Sequence, residues 1–209
     1  MKISKKKILV VALAVCLVAI ISMGTLAWFQ ASDEVTNIFK VSTDSNQQPD
    51  FKIDIFEHEA DEDGQISNVE VDSNTYENVA PGDQLFKDPT VRNAGQYDQW
   101  VRINVTLEDY AAWEAILGTG FDFSTLLKGV STDWSLDPST IGTDTLVYYK
   151  DAKLAVGDES TLFEGVSIPG EEFTVANMPT QFNLKIVADA IQADNTGNSA
   201  QYAFANFWN

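Results

Sequence analysis

The chain contains one histidine, His58, one cysteine, Cys16, and 31 acidic residues, so the chemistry open to its side chains is narrow. A catalytic zinc takes about three protein ligands, and one histidine with carboxylates is an unusual set for it. The sequence has no Gly-x-Ser-x-Gly elbow and no His-Glu-x-x-His helix, the signatures of many serine hydrolases and zinc proteases. His58 stands in Phe56-Glu57-His58-Glu59 and reads as a solvated strand end. Glu57/Glu59 and Glu171-Glu172 have the residue types of a glycosidase pair, but at this acid density they read as solvated loop charges. The segment with the most definite chemistry runs from Glu59 to Glu70. It matches a calcium-binding EF-hand loop at its third, fifth, sixth, eighth and twelfth positions, through Asp61, Asp63, Gly64, Ile66 and Glu70. Oxygen ligands at alternate residues, a glycine for the sharp turn and a closing bidentate Glu are what calcium requires. The first position is Glu59 where Asp is usual, and the flanks read as strands. The expectation is therefore an acidic Asp63-Gly64 hairpin tip, with calcium on Glu59, Asp61, Asp63 and Glu70 as the alternative and no other cofactor.

The elements around these residues are mostly strands. Phe51, Ile53 and Ile55 alternate with Lys52 and Asp54, and Val101, Ile103, Val105 and Leu107 alternate with Arg102, Asn104 and Thr106. A period of two over such spans means a half-buried strand. Phe182, Leu184 and Ile186 read the same way, as do Val35 to Val41, Val69 to Val71 and Leu146 to Tyr149. Pro81-Gly82, Ala94-Gly95 and Pro169-Gly170 supply turns between them. One helix is predicted from about Glu108 to Leu117, ended by Gly118, with a second short turn at Ser124 to Lys128. Residues 131–145 read as loops, and Tyr202 to Trp208 as a last strand. The fold class is all-β dominated, a jelly-roll sandwich with one or two short helices in connecting loops.

Composition sets the setting. Of the 209 residues 44% are hydrophobic and 11% aromatic, enough for a core, and the net charge is −18, which excludes nucleic-acid binding through overall charge. Lys2, Lys5, Lys6 and Lys7 precede an apolar run from Ile8 to Ile21, and small residues follow up to Ala27. That is the layout of a secretory signal peptide, with the cut expected after Ala27 and Trp28 as the new first residue. The run from Ile8 to Phe29 is also long enough to cross a bilayer core of roughly 30 Å, so an uncleaved anchor is the competing reading. Cleavage would remove four lysines and Cys16, leaving nine basic residues against 31 acidic, a net charge of −22 and no cysteine. Disulfides and thiol chemistry then play no part outside the cell. The expected division is 1–27 signal peptide, 28–42 N-terminal strand segment and 43–209 jelly-roll domain.

The junction Gly24-Thr25-Leu26-Ala27-Trp28-Phe29, followed by Asp33 and Val35 to Val41, resembles the start of the TasA/camelysin family. Further along, so do Ala80-Pro81-Gly82-Asp83, Lys87 to Gly95, Trp100 to Ile103, Val147-Tyr148-Tyr149, Leu162 to Pro169 and Ala188 to Asp194. The resemblance implies a jelly roll, cleavage between Ala27 and Trp28 by a signal peptidase of the SipW type, and secretion into the extracellular matrix or onto the cell surface. It also implies assembly with further copies of the chain, and with other matrix components, into biofilm-matrix fibres. In that family the released N-terminal segment completes the sheet of the next subunit, so Val35, Ile38, Phe39 and Val41 are the implied donor-strand residues, and the membrane is a partner only before cleavage. Camelysin members are also described as metalloproteases, but this sequence offers no residues onto which that activity can be carried, and no enzyme is expected. A monomeric cell-surface adhesin is the alternative, and a secreted metal-dependent hydrolase a third reading.

Overall fold

A computed structural model describes residues 30–35 as backbone, and residues 51–60, 66–174, 177–179 and 181–208 in full. The 1–27 segment with Ala27, together with Trp28, Ile38, Phe39, Val41, Asp61 and Asp63, lies outside the described residues.

Twelve strands are described: β1 (Gln30–Val35), β2 (Ile53–Ala60), β3 (Ile66–Val71), β4 (Gln84–Phe86), β5 (Thr90–Asn93), β6 (Gln99–Leu107), β7 (Leu127–Lys128), β8 (Trp134–Leu136), β9 (Thr145–Lys150), β10 (Glu159–Thr161), β11 (Gly165–Ser167) and β12 (Leu184–Gln192). They form an antiparallel all-β sandwich. One sheet runs β1-β12-β6-β9-β8, a second β10-β5-β2-β3, and a short third sheet β4-β11-β7. The alternation in β6 does what a period of two predicts. Val101, Ile103, Val105 and Leu107 are buried against Ile53 and Ile55 of the second sheet, with Ile186, Ala188 and Ala190 beside them. At the far edge Trp134 of β8 donates its indole N–H to Ser160 Oγ of β10 at 3.1 Å, tying the two sheets together.

Helix α1 (Tyr110–Leu117) follows β6 and ends at Gly118, whose φ of 105° is a conformation that a side chain would strain. It drives Trp113 into the core, where the ring stacks on Phe121 and meets Phe173 and Phe182 edge-on, each at 5.0 Å between centroids. Such edge-to-face pairs add to the stabilisation from area burial. Single 3-10 turns occupy Phe123–Leu126 and Pro138–Thr140. The first coincides with the expected turn near Ser124. The second, with β8, gives regular structure to part of the 131–145 segment that reads as loop.

The C-terminus corrects the sequence reading. Tyr202 to Trp208 is not a last strand: Ala200–Phe207 is a helix, α2, with Ser199 Oγ accepting from the Tyr202 N–H at its start. Ala200, Ala203 and Phe204 are buried on one helical stripe against Trp100 and Ile191. Spacings of three and four residues at positions 200, 203, 204 and 207 outweigh the two-residue spacing of Tyr202 and Phe204. α2 thus covers the outer face of the larger sheet. Arg102 of β6, bonded to Asp189 of β12 at 2.8 Å, lies beneath the rings of Phe204 and Trp208 at 4.5 and 5.0 Å.

Trp113→Ala empties the middle of this aromatic cluster and is expected to destabilise the fold by about 3–5 kcal/mol, read as a lowered urea midpoint at unchanged slope. A loss below about 1 kcal/mol would contradict the central place given to this ring.

Candidate functional site

Two regions carry the residues of interest. The first is the outer edge of the larger sheet, where β1 pairs with β12 antiparallel from Gln30↔Ile191 to Val35↔Ile186. β1 begins before the strand read from the sequence and meets it only at Val35. Gln-Ala-Ser-Asp-Glu-Val has no apolar alternation, so no side-chain pattern announces it, and its pairing with β12 is a main-chain ladder. β1 also passes close to β2. Residues 36–50, fifteen in all, then separate it from Phe51.

The second region is the end of the smaller sheet, where β2 meets β3 and the segment before β5. Glu57 falls on the same alternating face as Ile53 and Ile55 and is buried with no solvent exposure. Burying a lone carboxylate costs several kcal/mol, and here the charge is matched. The Lys87 ammonium, itself only 12% exposed, donates to Glu57 Oε1, and Asn74 Nδ2 donates to Glu57 Oε2 at 3.2 Å. Asn74 does more: its Nδ2 also donates to the His58 carbonyl at 2.9 Å, and its Oδ1 accepts from the Ala60 N–H at 3.1 Å. The β2–β3 register shifts between His58 and Ala60, and a bulge leaves backbone groups without ladder partners. Asn74 supplies those partners from a neighbouring segment.

His58, read from sequence as a solvated strand end, is tied down. Its Nδ1 lies 2.6 Å from Asp88 Oδ2 and its backbone N–H donates to Asp88 Oδ1 at 2.8 Å. The Tyr76 hydroxyl donates to the Phe86 carbonyl beside this cluster. Burial, aided by the Glu57 and Asp88 carboxylates, pushes the Tyr76 phenol up to about 12. Alternation carried one step past Ile55 would have placed Glu57 in the core. Asn74, Lys87 and Asp88 gave no comparable signal, because they come from irregular segments brought in by the tertiary fold.

The calcium-like segment is a β-hairpin in its described part, with His58 opposite Glu70 and Ala60 opposite Ile66. Glu59 lies on β2 and accepts from Ser67 Oγ at 3.4 Å. Glu70 on β3 takes the Arg92 guanidinium on both oxygens, at 2.5 and 3.1 Å, and Arg92 also reaches Glu159 at 2.6 Å while lying over the Phe56 ring. The Arg92 bond holds the Glu70 carboxyl below the usual carboxylate range. Among the described residues no group of three or more His, Cys, Asp or Glu is placed to hold a metal. Two surface hollows, beside Tyr149 and Gln201 and beside Glu70 and Arg92, have volumes of about 210 and 320 Å³. These lie around the lower end of the range for small-molecule sites.

Tyr76 and the buried Tyr148, also pushed up to about 12 by burial, set an alkaline limit. Both phenols hold their protons longer when folded than when unfolded. Their contribution is complete below about pH 10 and is lost as pH rises toward the folded value. Urea midpoints are expected to hold to about pH 10 and fall from there to about pH 12, and Tyr148→Phe is expected to flatten the fall. A midpoint flat across that window in the unaltered chain would contradict this. No family model, curated protein or solved structure matches the chain.

Proposed function

We propose that this chain is a secreted structural subunit of extracellular matrix fibres, joined head to tail when the N-terminal strand of one copy completes the sheet of the next. The observation that carries the reading is the place of β1. It forms the edge of the larger sheet, pairs there with β12 alone, and is separated from Phe51, two residues before β2, by residues 36–50. Exchanging it for the β1 of another copy keeps the same ladder in the same register. The free-energy difference between closed and exchanged forms is then set by the connection and by concentration, as in domain swapping. Fifteen residues reach about 50 Å when extended, enough to bridge to a neighbour. A head-to-tail exchange is heterologous and propagates as an open filament unless it closes into a ring.

Further contacts would come from Val35, Ile38, Phe39 and Val41, each apolar side chain contributing about 1.5–3 kcal/mol where a groove of the next copy buries it. The jelly-roll topology, release by a SipW-type peptidase between Ala27 and Trp28, and a structural rather than enzymatic role belong to the same reading. The resemblance of the 24–41 segment to the TasA/camelysin family supports them. A leader that tethers the first strand to the membrane keeps it from soluble neighbours, so cleavage would gate assembly.

The test compares the chain beginning at Trp28 with a shortened chain beginning at Asp50, by size-exclusion chromatography and electron microscopy, with circular dichroism confirming folding. Filaments from the first and a folded, dispersed second are expected. Filaments from both, or from neither at high concentration, would overturn strand donation. In the exporting cell Ala27→Pro is expected to leave the chain membrane-bound and filament-free.

A further inference from the structure

From the contacts of Glu57 we infer that Lys87 and Asn74 become joined by an intramolecular amide bond, with Glu57 as the proton carrier. The two oxygens of one buried carboxylate hold the two groups that would react: the Lys87 amine on Oε1 and the Asn74 amide nitrogen on Oε2. The carboxamide is gripped at both ends, its oxygen by the Ala60 N–H and its nitrogen by the His58 carbonyl as well as Glu57. This leaves the Asn74 Cγ as the electrophile. The Ala60 N–H is placed where a donor stabilises charge developing on Oδ1, as oxyanion donors do in acyl transfer. Glu57 has no solvent exposure, which keeps competing water away and strengthens each of these contacts.

The chemistry balances without any co-reactant. Lys87 passes a proton to Glu57 and becomes a neutral amine, the activated form of a lysine nucleophile. Its lone pair forms the Nζ–Cγ bond while the carbonyl electrons move onto Oδ1. Glu57 takes a proton from the attacking nitrogen and delivers protons to Nδ2. The Cγ–Nδ2 bond breaks, the carbonyl re-forms, and ammonia leaves, carrying away the proton that Lys87 brought as ammonium. Glu57 ends as a carboxylate, and nothing is oxidised or reduced. Holding both reactants on one group replaces a bimolecular encounter by a positioned one, the largest advantage a site of this kind can offer. The reaction happens once per chain and has no turnover. It stands independently of the fibre reading, since it concerns residues 57, 74 and 87 of a single copy.

The experiment is tryptic peptide mapping by mass spectrometry of the full chain, purified folded and then denatured. Trypsin cuts after Lys52, Lys87 and Arg92 and has no other site between 53 and 92. The expected product is an uncut 53–92 fragment, lighter by one ammonia, about 17 Da, with fragment ions locating the link between Asn74 and Lys87. Glu57→Gln is expected to give separate 53–87 and 88–92 fragments at full mass. Lys87→Arg, which keeps a cation against Glu57, is expected to remain folded, lose the link and melt at a lower temperature than the parent chain. Full-mass 53–87 and 88–92 fragments from the unaltered chain would overturn the proposal. A loss of one water, about 18 Da, with Lys87 linked to Glu57, would overturn the assignment of Asn74. The ammonia loss persisting in Lys87→Arg would mark a cyclic imide at Asn74 and overturn the link. A link that survives Glu57→Gln would overturn the role given to Glu57.

Discussion

The central strand β6 must be covered on both faces and paired along both edges, and most of the molecule follows from how that requirement is met. Its inner residues, Val101, Ile103, Val105 and Leu107, are sealed by the opposite sheet. Its outer residues include Trp100, packed under α2, and Arg102, a cation that needs both an anion and a cover. Asp189 supplies the first at 2.8 Å and the rings of Phe204 and Trp208 the second. Along its edges β12 pairs over nine residues and β9 over five. The difficulty then moves outward, to strands with a partner on one side only. An exposed edge invites pairing with another chain unless it is blunted. β10 is short, β8 is drawn toward β10 by Trp134, and β3 carries Glu70 locked to Arg92 but leaves Ile66 and Val69 each 54% exposed. β1 is the edge on which the proposed strand exchange rests, with residues 36–50 between it and Phe51.

Buried charge is the second organising term. A chain with 31 acids against 13 bases has few cations, and two of its lysines and both of its arginines stand in the interior or against rings. Lys87 neutralises Glu57, Lys150 lies near the Trp134 ring, and Arg92 and Arg102 each join a carboxylate to an aromatic face. Replacing one partner of a buried pair leaves the other uncompensated, which is far more costly than the pair's own net stabilisation. The residues around Glu57 therefore behave as a unit, with the two ends of the segment from Asn74 to Asp88 held on β2 by polar contacts and its middle by the pairing of β4 with β11.

The sequence was most legible where one periodicity ran for long enough. β6 and β2 follow from alternation, and α1 from its spacing and from Gly118. Where two periods overlapped, as at Tyr202 to Phe207, the strand reading was wrong because the buried stripe is helical. β1 could not be read from its side chains at all, since its position rests on main-chain pairing with β12. The cluster at Glu57 was misread: the carboxylate is buried and not the solvated loop charge that the acid density suggests, alternation carried past Ile55 was the signal for it, and nothing local says that Asn74 and Lys87 come to meet it. Such non-local partners are set by the tertiary fold, and no pattern within either segment encodes them.

An amide between Asn74 and Lys87 would act on the stability of the domain mainly through the unfolded chain. By loop-closure entropy alone, a cross-link closing a loop of roughly 15 residues disfavours the unfolded chain by about 3 kcal/mol, comparable to one large core side chain. The conformational consequence is local, because residues 74–87 between β3 and β5 would then form a closed ring that leaves β2 only as one unit and cannot be drawn out to full length. Cys16 is the one cysteine of the sequence, so an intramolecular disulfide cannot serve this purpose, and amide condensation needs no oxidant. The two proposals then divide the sandwich. Beside β2 the chain is fastened to itself, while at β12 the edge depends on a ladder that any copy can complete. A filament built this way would owe its continuity to the exchanged strand, a connection held by main-chain hydrogen bonds and apolar burial, while the amide would act within each subunit.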